Sequence, residues 1–377
     1  MPALDSILQQ KLQLLEAKHQ KRRLSETEYA GGVKVTRAGR ELVSFSGNDY
    51  LGLAHRPEVI EAAQKAAGQG AGAGASRLVT GNYPLYSELE KILADYKGTQ
   101  SACVFGSGYL ANLGTIPALA GVGDLILADK FVHACMIDAA KLSGATVMRF
   151  AHNSLAHARM LIEANRDEHH HCLILTETVF SMDGDRAPLK ELAALAKEFN
   201  AWLMTDDAHG LGIIPQQKGL ADVEMGTLSK AAGSYGGYVC GSATLVDYLK
   251  NAARSLIYST ALPPAVVAAS IAALGIMQKD KTLTKKPLEH AQHFTSLLGI
   301  NAAGSAIVPV VLKESEKAIK ASELLEERGF LVTAIRPPTV PENTARLRFA
   351  FSALHEKSQI EDVAKIIREQ GWLESLH

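Results

Sequence analysis

The sequence predicts an α/β fold in which helices cover both faces of a mostly parallel sheet, followed by a smaller α+β domain. Between residues 101 and 206, near-continuous apolar runs of strand length alternate with amphipathic helical stripes, a pattern typical of parallel sheets buried on both faces. After about residue 255 the pattern changes, because Pro263-Pro264 interrupts the chain and a long alanine-rich stretch follows. We therefore expect an amino-terminal helix and extension at residues 1–45, a large domain at 46–255 and a small domain at 256–377.

The individual elements follow from hydrophobic spacing. Apolar residues at helical spacing between Leu4 and Leu15 predict a first helix, and the glycine- and alanine-rich run at residues 67–75 predicts an ordered loop. Strands of the large domain are predicted at residues 101–105, 124–128, 146–150, 172–177 and 202–206. In the small domain, strands are predicted at residues 306–312, 330–335 and 346–351, and a closing helix at residues 360–367.

Composition argues against several classes of protein. Of the 377 residues, 47% are hydrophobic, and the formal net charge is −1 with acids and bases interspersed, so no polyanion-binding surface is indicated. The four cysteines lie far apart without a CxxC pair, which favours a reducing compartment. Residues 1–20 do not read as a secretory signal, and no apolar run has the length of a membrane span. We expect a soluble cytoplasmic protein that binds neither nucleic acid nor membrane.

Three residues near the ends of apolar runs suit the chemistry of pyridoxal phosphate (PLP). Lys230 offers an amine that can form a Schiff base with the cofactor's aldehyde, and Asp206 offers a carboxylate that can keep the pyridine nitrogen protonated. His209 is close enough in sequence to Asp206 to reach the ring's phenolic oxygen. Each residue alone is a weak signal, since most lysines and acids are solvated surface groups. Together they predict a PLP site.

Further polar groups follow the same strands, at the edge where parallel sheets bind ligands. Gly106-Ser-Gly-Tyr109 follows the first of these strands and opens a helix, which suits a phosphate cradle; it lacks the full dinucleotide fingerprint and so indicates a monophosphate. His133 follows the next strand and is either a ring-stacking imidazole or an ordinary, partly buried histidine. Ser181 follows the fourth strand.

Two more patterns have competing interpretations. Alternation along residues 346–351 puts Arg346 and Arg348 on one face, where a guanidinium suits either a carboxylate clamp or a salt bridge to a neighbour. The run His169-His-His-Cys172 could suggest a metal, but consecutive strand residues point to opposite faces. We expect no metal site.

Motifs along nearly the whole chain form an ordered set. They are Phe45-Ser-Gly-Asn-Asp-Tyr-Leu-Gly-Leu53, Gly74-Ala-Ser-Arg77, Gly81-Asn-Tyr-Pro84, Ser87-Glu-Leu-Glu90, Asp129-Lys-x-x-His133, Glu177-Thr-Val-Phe-Ser-Met-Asp-Gly-Asp185, Asp206-Asp-Ala-His-Gly210, Thr227-x-x-Lys230, Tyr258-Ser-Thr-Ala-Leu-Pro-Pro264 and Arg346-Leu-Arg348. On this set the sequence resembles the α-oxoamine synthases, PLP enzymes of fold type I that condense an amino acid with an acyl thioester. The resemblance implies a sheet of the seven-stranded type and a homodimer with interfacial active sites.

The resemblance also implies residue roles. Lys230 would be the Schiff-base lysine and the base for the α-proton, Asp206 the partner of the pyridine nitrogen, and His133 the ring-stacking residue. The other implied roles are the phenolic oxygen for Ser181 and His209, the phosphate for Ser107, Gly108, Tyr109 and Thr227, the neighbouring subunit's phosphate for Ser259 and Thr260, the amino-acid carboxylate for Arg348, the acceptor side for Asn48 and Glu177, and a distal acyl carboxylate for Arg22.

Within the family, the stretch Thr333-Ala-Ile-Arg-Pro-Pro-Thr-Val-Pro341 resembles the branch that joins L-alanine to a pimeloyl thioester. Ser76 leaves room for alanine's methyl group where glycine-using 5-aminolevulinate synthases typically carry threonine, although glycine-using 2-amino-3-ketobutyrate ligases also tolerate serine. Tyr86 stands where many relatives have histidine, and this difference leaves open which thioester the protein prefers. A glycine-using sister enzyme is therefore the main alternative. An aminotransferase, a catalytically silent subunit and a dinucleotide-binding protein are disfavoured, the silent subunit by the intact Lys230.

Overall fold

The computed structural model describes residues 3–18 and 20–373, and the chain divides into two compact units. The larger unit comprises Asp49–Ser181 and Asp185–Lys286, and the smaller comprises Met1–Asn48, Met182–Gly184 and Pro287–His377. The strands are β1 (Glu28–Gly31), β2 (Lys34–Arg37), β3 (Arg40–Ser44), β4 (Ser101–Phe105), β5 (Leu125–Asp129), β6 (Thr146–Phe150), β7 (Cys172–Glu177), β8 (Trp202–Asp206), β9 (Val223–Thr227), β10 (Gly237–Gly241), β11 (Ile307–Lys313), β12 (Phe330–Leu331), β13 (Thr333–Ile335) and β14 (Ala345–Ala350). The helices are α1 (Leu4–Ala17), α2 (Pro57–Ala67), α3 (Pro84–Lys97), α4 (Gly108–Leu119), α5 (Ala134–Ser143), α6 (Leu155–Asn165), α7 (Leu189–Glu198), α8 (Ala243–Ala252), α9 (Arg254–Ile257), α10 (Pro264–Lys279), α11 (Lys281–Leu298), α12 (Ser315–Glu327) and α13 (Lys357–Glu369).

The larger unit is built on a seven-stranded sheet in the order β4-β10-β9-β8-β7-β5-β6. The pairs among β6, β5, β7, β8 and β9 are parallel, and β10 runs antiparallel to both β9 and β4. The central strands β5 and β7 are buried along their whole length, as expected for near-continuous apolar runs. The prediction of a mostly parallel sheet in an α/β fold is confirmed.

Two strands of this sheet were not predicted. In β9, Glu224 and Gly226 interrupt the apolar run, and in β10 glycine stands at both ends, Gly237 and Gly241. Both strands are nevertheless buried throughout. Tertiary pairing, rather than local strand preference, therefore determines their structure.

The smaller unit contains two further sheets, in the orders β1-β2-β3-β12 and β11-β14-β13. The single strand predicted at residues 330–335 is wrong, because β12 pairs with β3 in one sheet while β13 pairs with β14 in the other. The core of the smaller unit includes Phe45, Phe294 and Phe349. The ring centroid of Phe349 lies 5.9 Å from that of Phe45 and 4.9 Å from that of Phe294. The pairing of β12 with β3 brings the amino-terminal segment into the same unit as the carboxy-terminal elements.

The unit boundaries differ from the expected domains. The amino-terminal residues, expected as a separate extension, belong with the carboxy-terminal unit, and that unit begins at Pro287 rather than at residue 256. The small unit begins later than expected because α10 packs against α2 and α3 in the larger unit.

All residues of helix α1 are exposed to solvent in the single chain. In residues 3–18 and 20–373, every helix is too short or too polar to cross a membrane.

A buried ion cluster ties three elements of the larger unit together. Lys97, the last residue of α3, is 3% exposed, and its Nζ lies 2.8 Å from Asp207 Oδ2 and 2.8 Å from Glu224 Oε2. The same Nζ donates to Gln216 Oε1 at 2.7 Å, and the Thr178 hydroxyl donates to Asp207 Oδ1 at 2.5 Å. Burial opposes the charge on Lys97, but the two carboxylates outweigh it and raise its pKa. The lysine thus fixes the turn that follows β8 to α3 and β9.

Replacing this lysine tests the importance of the cluster. Lys97→Met should lower the free energy of unfolding by about 3–5 kcal/mol, because it leaves two buried acids without their cation. Urea unfolding of the cofactor-free protein measures the change. Lys320→Met, which breaks an exposed pair with Glu316, is the control and should leave the unfolding curve in place. Coinciding curves for Lys97→Met and wild type would contradict this account of the cluster.

A second charged cluster lies around His152, whose ring bridges two carboxylates. Its Nδ1 lies 2.9 Å from Asp129 Oδ1 and its Nε2 lies 2.8 Å from Asp185 Oδ2. Burial alone would lower the pKa of His152, but the hydrogen bonds and charges of Asp129 and Asp185 raise it to about 10. Both ring nitrogens therefore donate as an imidazolium at neutral pH.

The raised pKa of His152 predicts a pH dependence of stability. Because its pKa is higher in the folded protein than the ordinary value of about 6.5, its ion pairs contribute fully below about pH 6.5 and are lost as the pH rises through about 10. The difference in unfolding free energy between wild type and His152→Gln should therefore be largest near about pH 6 and shrink steadily toward about pH 10. Urea unfolding across that range measures it, and a constant difference would be the contrary result.

Candidate active site

Lys230, His209 and Tyr50 form a chain of hydrogen-bonding groups. Lys230 Nζ lies 2.8 Å from His209 Nε2, and His209 Nδ1 lies 2.7 Å from the Tyr50 hydroxyl. Lys230 stands on the loop between β9 and β10, which the backbone bond from Leu228 N–H to the Gly236 carbonyl closes at 2.9 Å. Because His209 and Tyr50 are both buried, the lysine amine is held against a fixed pair rather than free to sample solvent.

Asp206 is a fully buried carboxylate at the carboxyl end of β8. Its Oδ2 accepts from Asn112 Nδ2 at 2.9 Å, and its Oδ1 accepts from the backbone N–H of Ala208 at 2.9 Å. Burial raises the pKa of Asp206, while the positive charge of Lys230 and these two donors oppose the rise. The carboxylate is therefore a group that a further positive charge would stabilise.

His133 and Glu177 lie close enough to share this electrostatic environment. Burial lowers the pKa of His133, which favours the neutral form of its planar imidazole. Burial, reinforced by the charge of Asp206, raises the pKa of Glu177 well above its ordinary value, although the backbone N–H groups of His133 and Ser181 donate to it. Glu177 Oε1 has no hydrogen-bond partner among the described residues. The surroundings of Glu177 therefore disfavour its charged form, and one of its oxygens makes no hydrogen bond to the described residues.

The amino terminus of α4 and Thr227 form a cradle suited to an anion. Ser107 caps α4 by accepting from Leu110 N–H at 3.2 Å, and the first amides of the helix, at Gly108 and Tyr109, have no acceptor within the helix. A Cβ built on Gly108 would lie 3.4 Å from the Thr227 Cβ and 3.6 Å from its Oγ1. A methyl group at this position would therefore fill the space between α4 and Thr227 at ordinary contact distance.

The remaining predicted residues of the larger unit have simpler surroundings. The Tyr109 side chain is 46% exposed, and its hydroxyl donates to Asp138 Oδ2 at 2.7 Å. Ser76 and Thr260 face each other in an isolated antiparallel bridge. Tyr86 is buried and its hydroxyl accepts from the backbone N–H of Leu262 at 2.6 Å.

In the smaller unit, the paired arginines of β14 have different partners. Arg346 Nη1 lies 2.6 Å from Asp183 Oδ1, so the salt-bridge interpretation holds for this residue. Arg348 is 6% exposed, and its Nη1 and Nη2 each lie 3.3 Å from Asn48 Oδ1. Arg22 Nη2 donates to the Thr339 hydroxyl at 3.1 Å. A carboxylate would be a stronger acceptor for Arg348 than the amide it now contacts.

Sequence reasoning did not find several polar groups of the site. Asn112 contacts Asp206, and Cys135 contacts His133. The Ser229 hydroxyl lies 2.8 Å from Thr227 Oγ1. Tyr50 stands inside the first family-like motif but had no role assigned. The sequence did offer one indication of Asn112, because it is a polar residue one helical turn beyond Gly108.

A groove of about 980 Å³ lies at the opposite edge of the sheet, near Trp202, and no predicted site residue lines it.

The residues at the carboxyl edge of the sheet fit PLP. Helix amides are neutral donors of the kind that bind a phosphate, and the Thr227 hydroxyl, which here donates to the Gly236 carbonyl, lies beside them. The buried carboxylate of Asp206 needs a cationic partner, which a protonated pyridine nitrogen provides. Lys230 offers the amine, and neutral His133 offers a flat ring. Among the described residues, no group of three or more His, Cys, Asp or Glu is arranged to hold a metal ion.

The sequence and the fold match known proteins over nearly the whole chain. The family model described as aminotransferase class I and II matches residues 40–367. A protein of Methylorubrum extorquens (strain PA1) named 8-amino-7-oxononanoate synthase is 54% identical over 97% of this chain and 96% of its own, and a putative 8-amino-7-oxononanoate synthase of Parvibaculum lavamentivorans is 52% identical over 98% of both. A solved serine palmitoyltransferase variant from S. paucimobilis, with PLP and myriocin bound, has a TM-score of 0.90 at 28% identity over 99% of both chains. The solved 8-amino-7-oxononanoate synthase of Francisella tularensis has a TM-score of 0.75 at 26% identity, over 89% of this chain and 99% of that one.

The chain belongs to the aminotransferase class I and II family, the PLP enzymes of fold type I. Within this family it is an acyltransferase of the α-oxoamine synthase type, and its cofactor is pyridoxal 5'-phosphate. The fold class, the family and the cofactor predicted from the sequence are confirmed.

The cradle at Gly108 predicts a selective effect on cofactor binding. Gly108→Ala should weaken PLP binding at least about tenfold, because the new methyl group occupies the space between α4 and Thr227. The fold should be retained, since alanine suits a helix and the Cβ makes ordinary contacts. Titration of the cofactor-free protein with PLP measures the affinity. Gly275→Ala in α10, where a Cβ meets nothing within 4 Å, is the control and should bind PLP as wild type does. Equal affinities for the two variants would be evidence against the cradle.

Proposed function

We propose that this protein catalyses the decarboxylative condensation of L-alanine with a pimeloyl thioester, giving 8-amino-7-oxononanoate, carbon dioxide and a free thiol. The observation that carries the proposal is 52–54% identity, over nearly the whole length, to proteins named 8-amino-7-oxononanoate synthase. This reaction would make it an enzyme of biotin biosynthesis. The local geometry around Lys230 and Asp206 supports chemistry at the α-carbon of an amino acid.

The residues of the larger unit would hold the cofactor and move the proton. PLP, when bound, supplies an electron sink for the charge that develops at the amino-acid α-carbon. Asp206 would hold the ring nitrogen, and His133 would lie against the ring. Lys230 Nζ would take the α-proton and later return it, with His209 Nε2 at 2.8 Å to orient the amine. His209 and Ser181 would bind the phenolic oxygen.

The phosphate and substrate groups would be bound by the remaining predicted residues. The amides of Gly108 and Tyr109 and the hydroxyls of Ser107 and Thr227 would bind the phosphate. We assign the amino-acid carboxylate to Arg348, whose two terminal nitrogens already share one amide oxygen. The further assignments are Asn48 and Glu177 for the acceptor side, Ser76 for the alanine pocket, Arg22 for the distal pimeloyl carboxylate, and Thr260 for the phosphate of a second subunit in a homodimer.

A second candidate has support from the solved structures. Serine palmitoyltransferases share the fold at 28% identity and a TM-score of 0.89–0.90, which favours serine with a long acyl thioester. Glycine with a short thioester is a third combination, since Ser76 does not separate it from alanine. The higher identity to the 8-amino-7-oxononanoate synthases favours alanine with the pimeloyl group.

Thiol release separates these candidates directly. PLP-loaded protein is offered alanine, glycine or serine, each with pimeloyl-, acetyl-, succinyl- or palmitoyl-CoA, and alanine also with pimeloyl carrier protein. We expect pimeloyl with alanine to be turned over fastest by a wide margin. Lys230→Ala should lower this rate at least about a thousandfold, while the exposed Lys141→Ala should not change it. Preference for any other pair would overturn the substrate assignment, and an active Lys230→Ala would overturn the role of the lysine.

A further inference from the structure

Asn112 contacts Asp206, a residue assigned to the cofactor, and through Cys135 it is linked to His133, although neither sequence motif nor family resemblance pointed to it. It is completely buried on α4, one turn beyond Gly108. Its Nδ2 donates one hydrogen to Asp206 Oδ2 at 2.9 Å and lies 3.1 Å from Cys135 Sγ. One amide nitrogen thus contacts a buried carboxylate and a buried thiol together.

Cys135 decides which end of the Asn112 amide faces Asp206. Its Sγ lies 2.9 Å from His133 Nδ1, which also accepts the backbone N–H of Cys135 at 3.3 Å. Because Nδ1 is an acceptor, the proton of the neutral imidazole is on Nε2, and the thiol S–H points toward Nδ1. The sulfur lone pairs are then left for Asn112, so the amide presents its N–H₂ end, not its oxygen, to Cys135 and Asp206.

Only one end of the buried Asn112 amide makes hydrogen bonds. Its Oδ1 has no hydrogen-bond partner among the described residues, and an unsatisfied buried amide oxygen is costly. A leucine of similar size would remove the unpaired oxygen but would also take the Nδ2 donor away from Asp206. The part of this side chain that makes hydrogen bonds is its N–H₂ group, which faces Asp206 and Cys135.

We propose that Asn112 is a positioning residue that keeps Asp206 ionised and oriented for the cofactor's ring nitrogen, and that the Cys135 thiol fixes the amide orientation this requires. The proposal rests on the assignment of Asp206 to the cofactor. It does not depend on which amino acid or thioester is the substrate. Asn112 acts through Asp206 and does not itself touch the reacting atoms.

The test uses PLP binding and the absorbance of the bound cofactor, without substrates. Asn112→Leu should still give a cofactor-free protein that unfolds cooperatively in urea, at a lower midpoint because the buried Asp206 loses a donor, and it should weaken PLP binding at least about tenfold. The pH midpoint of the absorbance change of the bound cofactor should rise by about one unit, because a more basic Asp206 leaves less positive charge on the ring.

Thr115→Val is the matched control. Thr115 is also completely buried on α4, and its hydroxyl has no hydrogen-bond partner among the described residues, so it makes no hydrogen bond to Asp206. Its loss should therefore change neither PLP affinity nor the pH midpoint. Cys135→Ser keeps a donor and an acceptor and should behave as wild type, whereas Cys135→Ala should show part of the Asn112→Leu shift.

The outcomes are distinct. Wild-type affinity and pH midpoint in a folded Asn112→Leu protein would overturn the proposal, as would equal shifts in Thr115→Val. If Asn112→Leu does not fold, the Cys135 pair decides: identical pH midpoints for Cys135→Ser and Cys135→Ala would overturn it. Failure of wild-type protein to release thiol would refute the proposed function without affecting these results.

Discussion

The burial of Asp206 at the end of β8 is the constraint on which the rest of the site depends. Removing a carboxylate from water costs several kcal/mol unless donors and positive charge surround it. Here the surrounding groups are an asparagine from α4, the amide of Ala208 and the charge of Lys230. These groups come from three separate elements, so the position of one acid determines how α4, the turn after β8 and the β9–β10 loop are arranged. The neutral state of His133 follows from the same burial.

Asp207, the next residue, shows a different solution to the same problem. Its oxygens are taken by Lys97 and Thr178, and Lys97 is held further by Glu224. Asp207 therefore has a cation within the chain, which it shares with Glu224. Two consecutive acids therefore have different roles: Asp207 fixes the turn, and Asp206, in the function proposed above, would pair with the positive charge on the PLP ring. This difference explains why adjacent residues of one type have separate roles.

Much of this arrangement could be read from the sequence, and the rest could not for identifiable reasons. Apolar runs such as β7 and β8 predicted the sheet, and the ends of parallel strands predicted where Asp206 and His133 would lie. Strands β9 and β10 were missed because glycine and Glu224 hide their burial. Asn112 could not be assigned a role, because its partner Asp206 is far away in sequence. The division of the chain also depended on a long-range pairing, that of β12 with β3, which no local pattern reveals.

The order of strands in the sheet has a consequence for folding during translation. β4, which leads into the amino terminus of α4, is an edge strand, and within residues 3–18 and 20–373 the one strand paired with it is β10, more than a hundred residues later in the chain. Until that strand has left the exit tunnel, β4 has an open edge and α4 has no Thr227 to face. Non-local pairing of this kind is slow and exposes unpaired strand edges in the meantime. Nascent chains that stop short of residue 241 should therefore be the ones most in need of chaperones.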